Sequence, residues 1–310
     1  MDVIEKIRKQ AKSEQKTIVL PEYDDARVVE AVRIIEKEGI AKSVLLTRDM
    51  VDPKELERYI AEFYEMHMAK DLDLAAVRAL FEQDTLYYAA MMTRENKFDG
   101  LVAGASHTTP EMARAAIRCI GVDEHITLVS SCFIMVVPNS TLGDSGTFIF
   151  ADCGIIPEPN SRQLACIALS ASELASKVLN ITPRIAFLSY STKGSAKTKS
   201  QEKIAEALSS LKEMAPDILA DGEMQVDAAI EPEVAKIKYP NSPVGGRANI
   251  LIFPNLEAGN IGYKLVQRLG NARAVGPLFL GLKKPASDLS RGCSVEDVVD
   301  VVAATAVRAQ

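Results

Sequence analysis

The sequence contains no tryptophan, and aromatic residues make up only 5% of its 310 residues. A nucleic-acid-binding surface that stacks bases depends on aromatic side chains, so such a surface is disfavoured. The net charge of −6 shows no excess of lysine and arginine. We therefore expect neither nucleic acid nor a membrane surface as a partner, although a local cluster of cations can still bind an anionic substrate.

Histidine is scarce, with only His67, His107 and His125 spread along the chain, so a histidine-based metal site is not expected. The five cysteines include no CxxC pair and no metal-ligand spacing. This pattern predicts reduced thiols and a cytoplasmic protein. The first residues lack the apolar core of a signal peptide, and no apolar run approaches the roughly 18 residues of a membrane-spanning helix.

Apolar periodicity predicts an α/β protein, and the length favours two domains. In the N-terminal third, helical patterns at 25–38, 54–67 and 74–94 alternate with short buried strands. This alternation is typical of a doubly wound, mostly parallel sheet. From residue 126 onward, closely spaced apolar runs predict antiparallel strands that are added to a sheet. These runs are 126–129, 133–137 and 147–150.

Polar chemistry is concentrated near the C-terminus, in the segment DLSRGCSVED at positions 288–297. A hydroxyl, a guanidinium, a thiol and a carboxylate lie there on a predicted loop that leads into an apolar helix. Arginine presents a planar fork to phosphate, a helix N-terminus attracts anions, and a carboxylate accepts protons. Ser294 followed by Asp297 is also a variant of a helix capping box, and spacing alone supports both interpretations about equally.

This segment resembles the C-terminal signature of the phosphate acetyltransferase family. Further blocks resemble the family in the same order and extend the resemblance from about Thr17 to the C-terminus. They are DGLVAGASHTT at 99–109, SYSTKGSAK at 189–197, DGEMQVDAAI at 221–230, SPVGGRANILIFP at 242–254 and GNIGYKLVQR at 259–268.

The resemblance implies two α/β domains with a cleft between them, an architecture like that of isocitrate and isopropylmalate dehydrogenases. The first domain, residues 1–123 and 280–310, would be discontinuous and would contain the doubly wound parallel sheet. The second, residues 124–279, would be inserted and would contain a mixed sheet. Since family members are typically homodimers, a homodimer is expected.

The resemblance also implies the reaction. The family transfers an acetyl group reversibly between acetyl-CoA and phosphate, giving acetyl phosphate and CoA, by direct attack of the CoA thiolate in a ternary complex. Coenzyme A is a substrate there, and no metal or other cofactor is expected. A phosphate butyryltransferase or propanoyltransferase remains open because acyl-chain preference is not readable from the sequence. A dehydrogenase of the related architecture is disfavoured because its carboxylate metal cluster is absent.

A different class also remains open, a non-catalytic binding protein that has kept the fold. Retention of the family's polar residues argues against it. Asp297 matches the general base for the CoA thiol, and Arg291 matches the arginine that balances charge on phosphate or on the developing oxyanion. Ser290 matches a hydroxyl that hydrogen-bonds the same group. Arg114 and Arg27 match arginines that bind phosphate or CoA.

Two further residues, Lys193 and Ser195, lie in the polar loop 189–197, which we expect to contact phosphate although it lacks Walker A spacing. Cys293 is expected to be a bystander whose pKa is lowered by the nearby helix start and Arg291.

The main departure from the family is His67, which stands where an arginine linked to CoA binding is usual. Histidine is mostly neutral at pH 7 and cannot form a bidentate contact with phosphate. We predict weaker CoA binding through this position, or a replacement contact from Lys70, and a lower KM for CoA when arginine is restored. The segment 46–57 is also short, because family members commonly carry an extra helix and strand there.

Overall fold

The computed structural model describes residues 2–67, 73–196 and 199–310; Lys70 and Lys197 lie outside these ranges. The chain divides into two compact units, and each is described by itself. The first unit comprises Met1–Asp123 and Leu282–Gln310, and the second comprises Glu124–Gly281.

The strands are named in chain order: β1 Thr17–Leu20, β2 Lys42–Leu45, β3 Gly100–Ala103, β4 Ser130–Val136, β5 Thr147–Ala151, β6 Arg184–Leu188, β7 Leu219–Met224, β8 Ile250–Ile252, β9 Arg273–Leu280 and β10 Ala286–Asp288.

The helices are α1 Val3–Ser13, α2 Ala26–Glu38, α3 Pro53–His67, α4 Leu74–Gln83, α5 Leu86–Arg94, α6 Thr109–Ala115, α7 Leu142–Ser145, α8 Ser161–Lys177, α9 Lys199–Met214, α10 Val226–Ile230, α11 Pro232–Lys238, α12 Leu256–Leu269 and α13 Val295–Arg308. Among the described residues, none of the helices combines the length and the apolar character needed to cross a membrane.

The sheet of the first unit has the order β2-β1-β3-β10, and its strands are parallel. The C-terminal helix α13 packs on β1, β3 and β10 and against α1 and α2. Residues 298–307 of α13 are all buried, because this stretch is apolar nearly all round. The one carboxylate within 298–307, that of Asp300, accepts a hydrogen bond of 2.8 Å from Arg8 Nε, which offsets the cost of burying the charge.

The sheet of the second unit has the order β9-β4-β5-β8-β6-β7. The pairs β9–β4 and β4–β5 are antiparallel, whereas β5–β8, β8–β6 and β6–β7 are parallel. Phenylalanines from β4 and β5, together with Leu251 of β8, form much of its core. The α/β class and the mixed sheet that the sequence predicts are confirmed.

Local differences from the predicted elements have identifiable causes. The predicted strand at 126–129 is wrong, because Thr127 adopts a φ of 60°, outside the extended region, and β4 begins only at Ser130. The predicted helix at 74–94 is two helices. Asp84 ends α4 with an extended backbone, and its Oδ1 accepts a hydrogen bond of 2.7 Å from Leu86 N at the start of α5.

Candidate active site

Three loops of the first unit follow the carboxyl ends of neighbouring parallel strands. They comprise residues 21–25 after β1, 104–108 after β3 and 289–294 after β10. In a parallel sheet these ends lie at the same edge, which is the usual location of ligand sites in open α/β sheets. Most of the predicted site residues of this unit lie on these loops or in the first turns of the helices that follow them.

The loop 289–294 contains a tight turn that exposes two of the predicted residues. The carbonyl of Ser290 accepts a hydrogen bond of 2.8 Å from Cys293 N, and Ser290 Oγ accepts one of 3.2 Å from Gly292 N. The Ser290 hydroxyl proton therefore stays available to a substrate oxygen. Arg291 is exposed, and across the described ranges no hydrogen bond or ion pair engages its guanidinium.

Asp297 lies in the first turn of α13 and takes part in a complete capping box. Its Oδ2 accepts hydrogen bonds of 2.8 Å from both the backbone nitrogen and the hydroxyl of Ser294, and Ser294 Oγ accepts one of 3.2 Å from Asp297 N. The capping interpretation of this spacing is confirmed. The other carboxylate oxygen, Oδ1, accepts no hydrogen bond from the part of the chain that the structure describes, and it remains available to a substrate.

Arg27, at the start of α2, uses all five of its N–H donors inside the protein. Its Nε and Nη2 donate to Asp25 at 3.0 and 2.6 Å, and Nη2 also donates to the carbonyl of Ala105 at 2.9 Å. Its Nη1 donates to the carbonyls of Arg291 and Cys293 at 2.8 and 3.1 Å. Arg27 therefore joins the three loops, through the Asp25 carboxylate in the first and through main-chain carbonyls in the other two, and has no free donor for a phosphate.

Glu22 organises the loop after β3. Its carboxylate is 2% exposed and accepts hydrogen bonds from the four consecutive backbone nitrogens of residues 104–107, at 2.8–3.0 Å. It also accepts from Ser106 Oγ at 3.0 Å and from His107 Nδ1 at 2.8 Å. Burial alone would raise the pKa of Glu22, but these hydrogen bonds outweigh it and lower the pKa to about 2. Glu22 is therefore an anion at neutral pH.

Asp288 ends β10 in a fully buried position. Thr109 Oγ1 donates to its Oδ2 at 2.6 Å, while burial raises its pKa to about 7. Its Oδ1 lies against the Cα of Gly104, where the φ is +113° and an added Cβ would be only 2.1 Å from that oxygen. Glycine is therefore required at 104, and Asp288 connects the start of α6 with the strand that leads to Ser290.

Two other predicted residues of the first unit occupy different surroundings. Arg114, on α6, is exposed, and its guanidinium has no hydrogen-bond or ion-pair partner among the described residues. His67 is buried at the end of α3, where its ring contacts Phe63 at a centroid distance of 4.5 Å and Nε2 lies 3.0 Å from the carbonyl of Arg118.

Lys193 and Ser195 belong to the second unit. Lys193 is 57% exposed in its side chain, and its ammonium lies 4.9 Å from the ring centre of Tyr239 and 3.9 Å from Asp221 Oδ1. Ser195 Oγ lies 3.0 Å from Ser191 Oγ and accepts a hydrogen bond of 3.1 Å from Thr192 N, so it mainly stabilises the turn. Lys193 is the more accessible of the two for a substrate anion.

The expected lowering of the Cys293 pKa is wrong. The thiol is buried, and this burial raises its pKa to about 11 although Arg27 lies nearby. Burial of the thiolate outweighs the attraction of Arg27, and the negative charges of Asp297, Asp25 and Glu22 raise the pKa of Cys293 further. The bystander interpretation of Cys293 fits this environment.

Four side chains hold the loops together but were not among the predicted site residues: Glu22, Asp84, His107 and Asp288. The available signal was positional. Glu22 and Asp288 both come at the ends of short buried strands, where polar residues are expected to meet across a parallel sheet.

Comparisons with known proteins give one consistent result. A family model described as Phosphate acetyl/butaryl transferase matches residues 2–306. The chain is 46% identical over 329 positions to a phosphate acetyltransferase of Acetivibrio thermocellus, covering 100% of this chain and 99% of the relative. It is 44% identical over 329 positions to a phosphate acetyltransferase of Thermoanaerobacterium thermosaccharolyticum, covering 100% of both chains. The crystal structure of a phosphotransacetylase from Streptococcus pyogenes superposes with a TM-score of 0.89 at 35% identity, covering 99% of this chain and 98% of that one.

Proposed function

This chain belongs to the phosphate acetyl/butaryl transferase family, and we propose that it catalyses the reversible transfer of an acetyl group between acetyl-CoA and phosphate. The observation that carries this proposal is the full-length similarity to proteins named phosphate acetyltransferase. The site supplies the chemical groups that the reaction needs, with CoA and phosphate as substrates and no resident cofactor.

We assign the proton transfer to Asp297. In the direction of acetyl-CoA synthesis, its Oδ1 would accept the proton of the CoA thiol, while Oδ2 remains held by Ser294. A carboxylate is a much weaker base than the thiolate that it must generate. The positive end of α13 and the Arg291 guanidinium would therefore stabilise the thiolate that forms.

The thiolate sulfur would then attack the carbonyl carbon of acetyl phosphate and form a tetrahedral oxyanion. When this intermediate collapses, the bond between the acyl carbon and the phosphate oxygen breaks, and phosphate leaves with the electron pair. Arg291 would balance the negative charge on phosphate or on the oxyanion, and the Ser290 hydroxyl would donate a hydrogen bond to the same group. Both side chains are exposed, which supports these roles.

The other predicted site residues differ in whether their hydrogen-bond donors are free to contact a substrate. Arg114 and Lys193 are exposed cations, so we propose that they bind substrate anions; Ser195 would shape the Lys193 loop. Arg27 is fully engaged by protein groups, so we propose that it fixes the loops and does not contact CoA directly. The buried ring of His67 likewise supports a packing role and favours weaker CoA binding at this position.

Several further features remain proposals. We propose that the two compact units correspond to the two domains of a dehydrogenase-like architecture, that the protein is a homodimer and that it is cytoplasmic. The five cysteines are buried thiols, and their odd number without CxxC spacing supports a reducing location. The alignments with the two relatives run over 329 positions, whereas this chain has 310 residues, so 19 positions are gaps in this chain. Gaps of this size fit an omitted element such as the one expected near 46–57.

Thioester formation from CoA and acyl phosphates tests the function. Purified protein is mixed with CoA and either acetyl phosphate or butyryl phosphate, and the thioester absorbance is followed. We expect a larger kcat/KM for acetyl phosphate. A preference for butyryl phosphate would place the chain in the longer-chain branch, and no turnover of either substrate would favour a binding protein that has kept the fold.

A further inference from the structure

Three acidic and basic side chains from separate parts of the first unit meet at the loop after β3. Glu22 follows β1, Asp84 lies between α4 and α5, and His107 belongs to the loop itself. The imidazole Nδ1 lies 2.8 Å from Glu22 Oε1, and Nε2 lies 3.1 Å from Asp84 Oδ2. When both ring nitrogens face carboxylates, both donate a proton, and this arrangement requires the imidazolium form.

The surroundings keep this histidine charged at neutral pH. The hydrogen bonds to Asp84 and Glu22 outweigh burial and raise the pKa of His107 to about 10. For Asp84, burial opposes ionisation, but the hydrogen bond from His107 lowers the pKa below its usual value. The two anions and the cation therefore stabilise one another's ionised forms.

Other charged groups also act on these residues. Arg27 interacts with Glu22, Arg48 interacts with Asp84, and Glu111 is influenced by His107. Asp288 interacts with both Glu22 and His107. Of the basic groups named here, His107 is the one whose side chain can exist in a neutral form in a protein, because an arginine side chain is not deprotonated there.

The loop that contains His107 is connected to several groups of the proposed site. Thr108, the next residue, caps α6, the helix that carries Arg114. The carbonyl of Ala105 accepts a hydrogen bond from Arg27, which in turn donates to the carbonyl of Arg291. A displacement of this loop would therefore move a substrate-binding helix and weaken the support of the 289–294 loop.

We propose that His107 is a positioning residue of the transfer reaction, which as an imidazolium between Glu22 and Asp84 fixes the loop 104–108 and, through it, Arg114 and Arg27. This inference rests on the proposed function and adds a residue that does not touch the reacting atoms. Neutral histidine can donate from one ring nitrogen only, so deprotonation would leave one of the two carboxylates without its partner.

The substitution Asp84→Asn tests the charge directly. Asparagine can still accept the hydrogen bond from Leu86 N through its oxygen, but it removes one of the two anions beside His107. We expect the alkaline limb of kcat/KM to move by about one pH unit or more to lower pH, because loss of an opposite charge lowers the histidine pKa. The ionisation of the CoA thiol is the same for both proteins and cancels in the comparison.

The substitution His107→Asn tests the positioning role. Its amide nitrogen can replace Nδ1 toward Glu22, but it carries no charge and cannot reach Asp84 as the imidazole does. We expect kcat/KM to fall by about 10- to 100-fold at pH 7, as for a misplaced binding group. His125→Gln is the matched control, because His125 is exposed and lies in the second unit, and it should retain wild-type kinetics.

Nitrogen chemical shifts of His107, measured by NMR between pH 6 and 11, report its protonation without relying on activity. The inference predicts an imidazolium at pH 8 in the wild type and a lower titration midpoint in Asp84→Asn. An imidazole that is neutral at pH 8, or an unchanged alkaline limb in Asp84→Asn, would overturn it. Wild-type turnover with unaltered kinetics in His107→Asn would refute this inference alone, whereas absence of wild-type turnover would refute the proposed function as well.

Discussion

Replacing Glu22 with glutamine should strongly destabilise the first unit, because this one carboxylate accepts hydrogen bonds from four consecutive backbone nitrogens of the loop after β3. In the wild type, Oε2 accepts from Gly104 N and Ala105 N, and Oε1 accepts from Ser106 and His107. A glutamine amide has only one oxygen, so its NH2 group would face at least two buried N–H donors.

The lowered pKa of Glu22 gives the size of the expected loss of stability. Its ordinary pKa of 4.5 falls to about 2 in the folded protein. At about 1.4 kcal/mol per pKa unit, this difference corresponds to roughly 3 kcal/mol of stability at pH 7. Two buried N–H donors that lose their acceptor cost about 1–3 kcal/mol each, and this separate figure agrees with the one from the pKa. The stabilisation is complete above pH 4.5 and is lost as the pH falls through about 2. The difference in free energy of unfolding between wild type and variant should therefore become smaller in that range.

Urea unfolding at pH 7 and pH 3 measures this effect, and hydrogen exchange of the amides at 104–107 localises it. Glu36→Gln is the control, because Glu36 is an exposed residue of α2 in the same unit. A loss below about 1 kcal/mol at pH 7, or an equal loss at both pH values, would refute the reasoning. Unchanged exchange at 104–107 would show that Glu22 does not hold this loop.

Four substitutions extend the account. Arg291→Lys keeps the charge but loses the planar fork, so steady-state kinetics should show a kcat/KM for acetyl phosphate reduced about 10-fold or more without a change in the urea midpoint. Arg27→Lys should reduce activity and also lower the free energy of unfolding by about 1–3 kcal/mol, because exposed and partly buried hydrogen bonds to main-chain carbonyls are lost. Cys293→Ala should retain most activity, and iodoacetamide should modify the wild-type thiol slowly at pH 7, because burial raises its pKa to about 11. His67→Arg should lower the KM for CoA, because the guanidinium can contact a phosphate of the substrate. The larger side chain should also lower the free energy of unfolding, measured in urea, by about 1–3 kcal/mol, because the site is buried. An unchanged KM and an unchanged stability would contradict these two expectations.

The fold was predictable where one local pattern determined the structure. The strand β1 is one of the short buried strands expected in the N-terminal third, and it is an apolar run that ends before Pro21. The strand β10 was not predicted, because its three residues include a serine and an aspartate that are buried only through tertiary contacts. At 126–129 the local pattern predicted a strand that does not form. The apolar neighbours of Thr127 indicate a strand, but its backbone conformation does not allow one.

The candidate site divides in the same way. The capping pair Ser294 and Asp297 could be predicted, because a helix start is encoded over four residues. The environment of His107 could not, because its partners Glu22 and Asp84 are 85 and 23 residues away in the chain. Glu22 and His107 meet only once parallel strands place their ends at one edge of the sheet, and Asp84 joins them from the turn between α4 and α5. No local pattern contains that information.

The rate of acetyl-CoA formation in Asp297→Asn and Ser294→Ala is the most direct test of the central claim. Asparagine can still accept a hydrogen bond from Ser294 but is no base, whereas Ser294→Ala removes the cap and leaves the carboxylate. We predict that kcat falls by about 10²–10⁴ in Asp297→Asn, while Ser294→Ala loses mainly about 1 kcal/mol of stability. A wild-type rate in Asp297→Asn, or an equal loss of rate in Ser294→Ala, would show that Asp297 serves only to cap the helix.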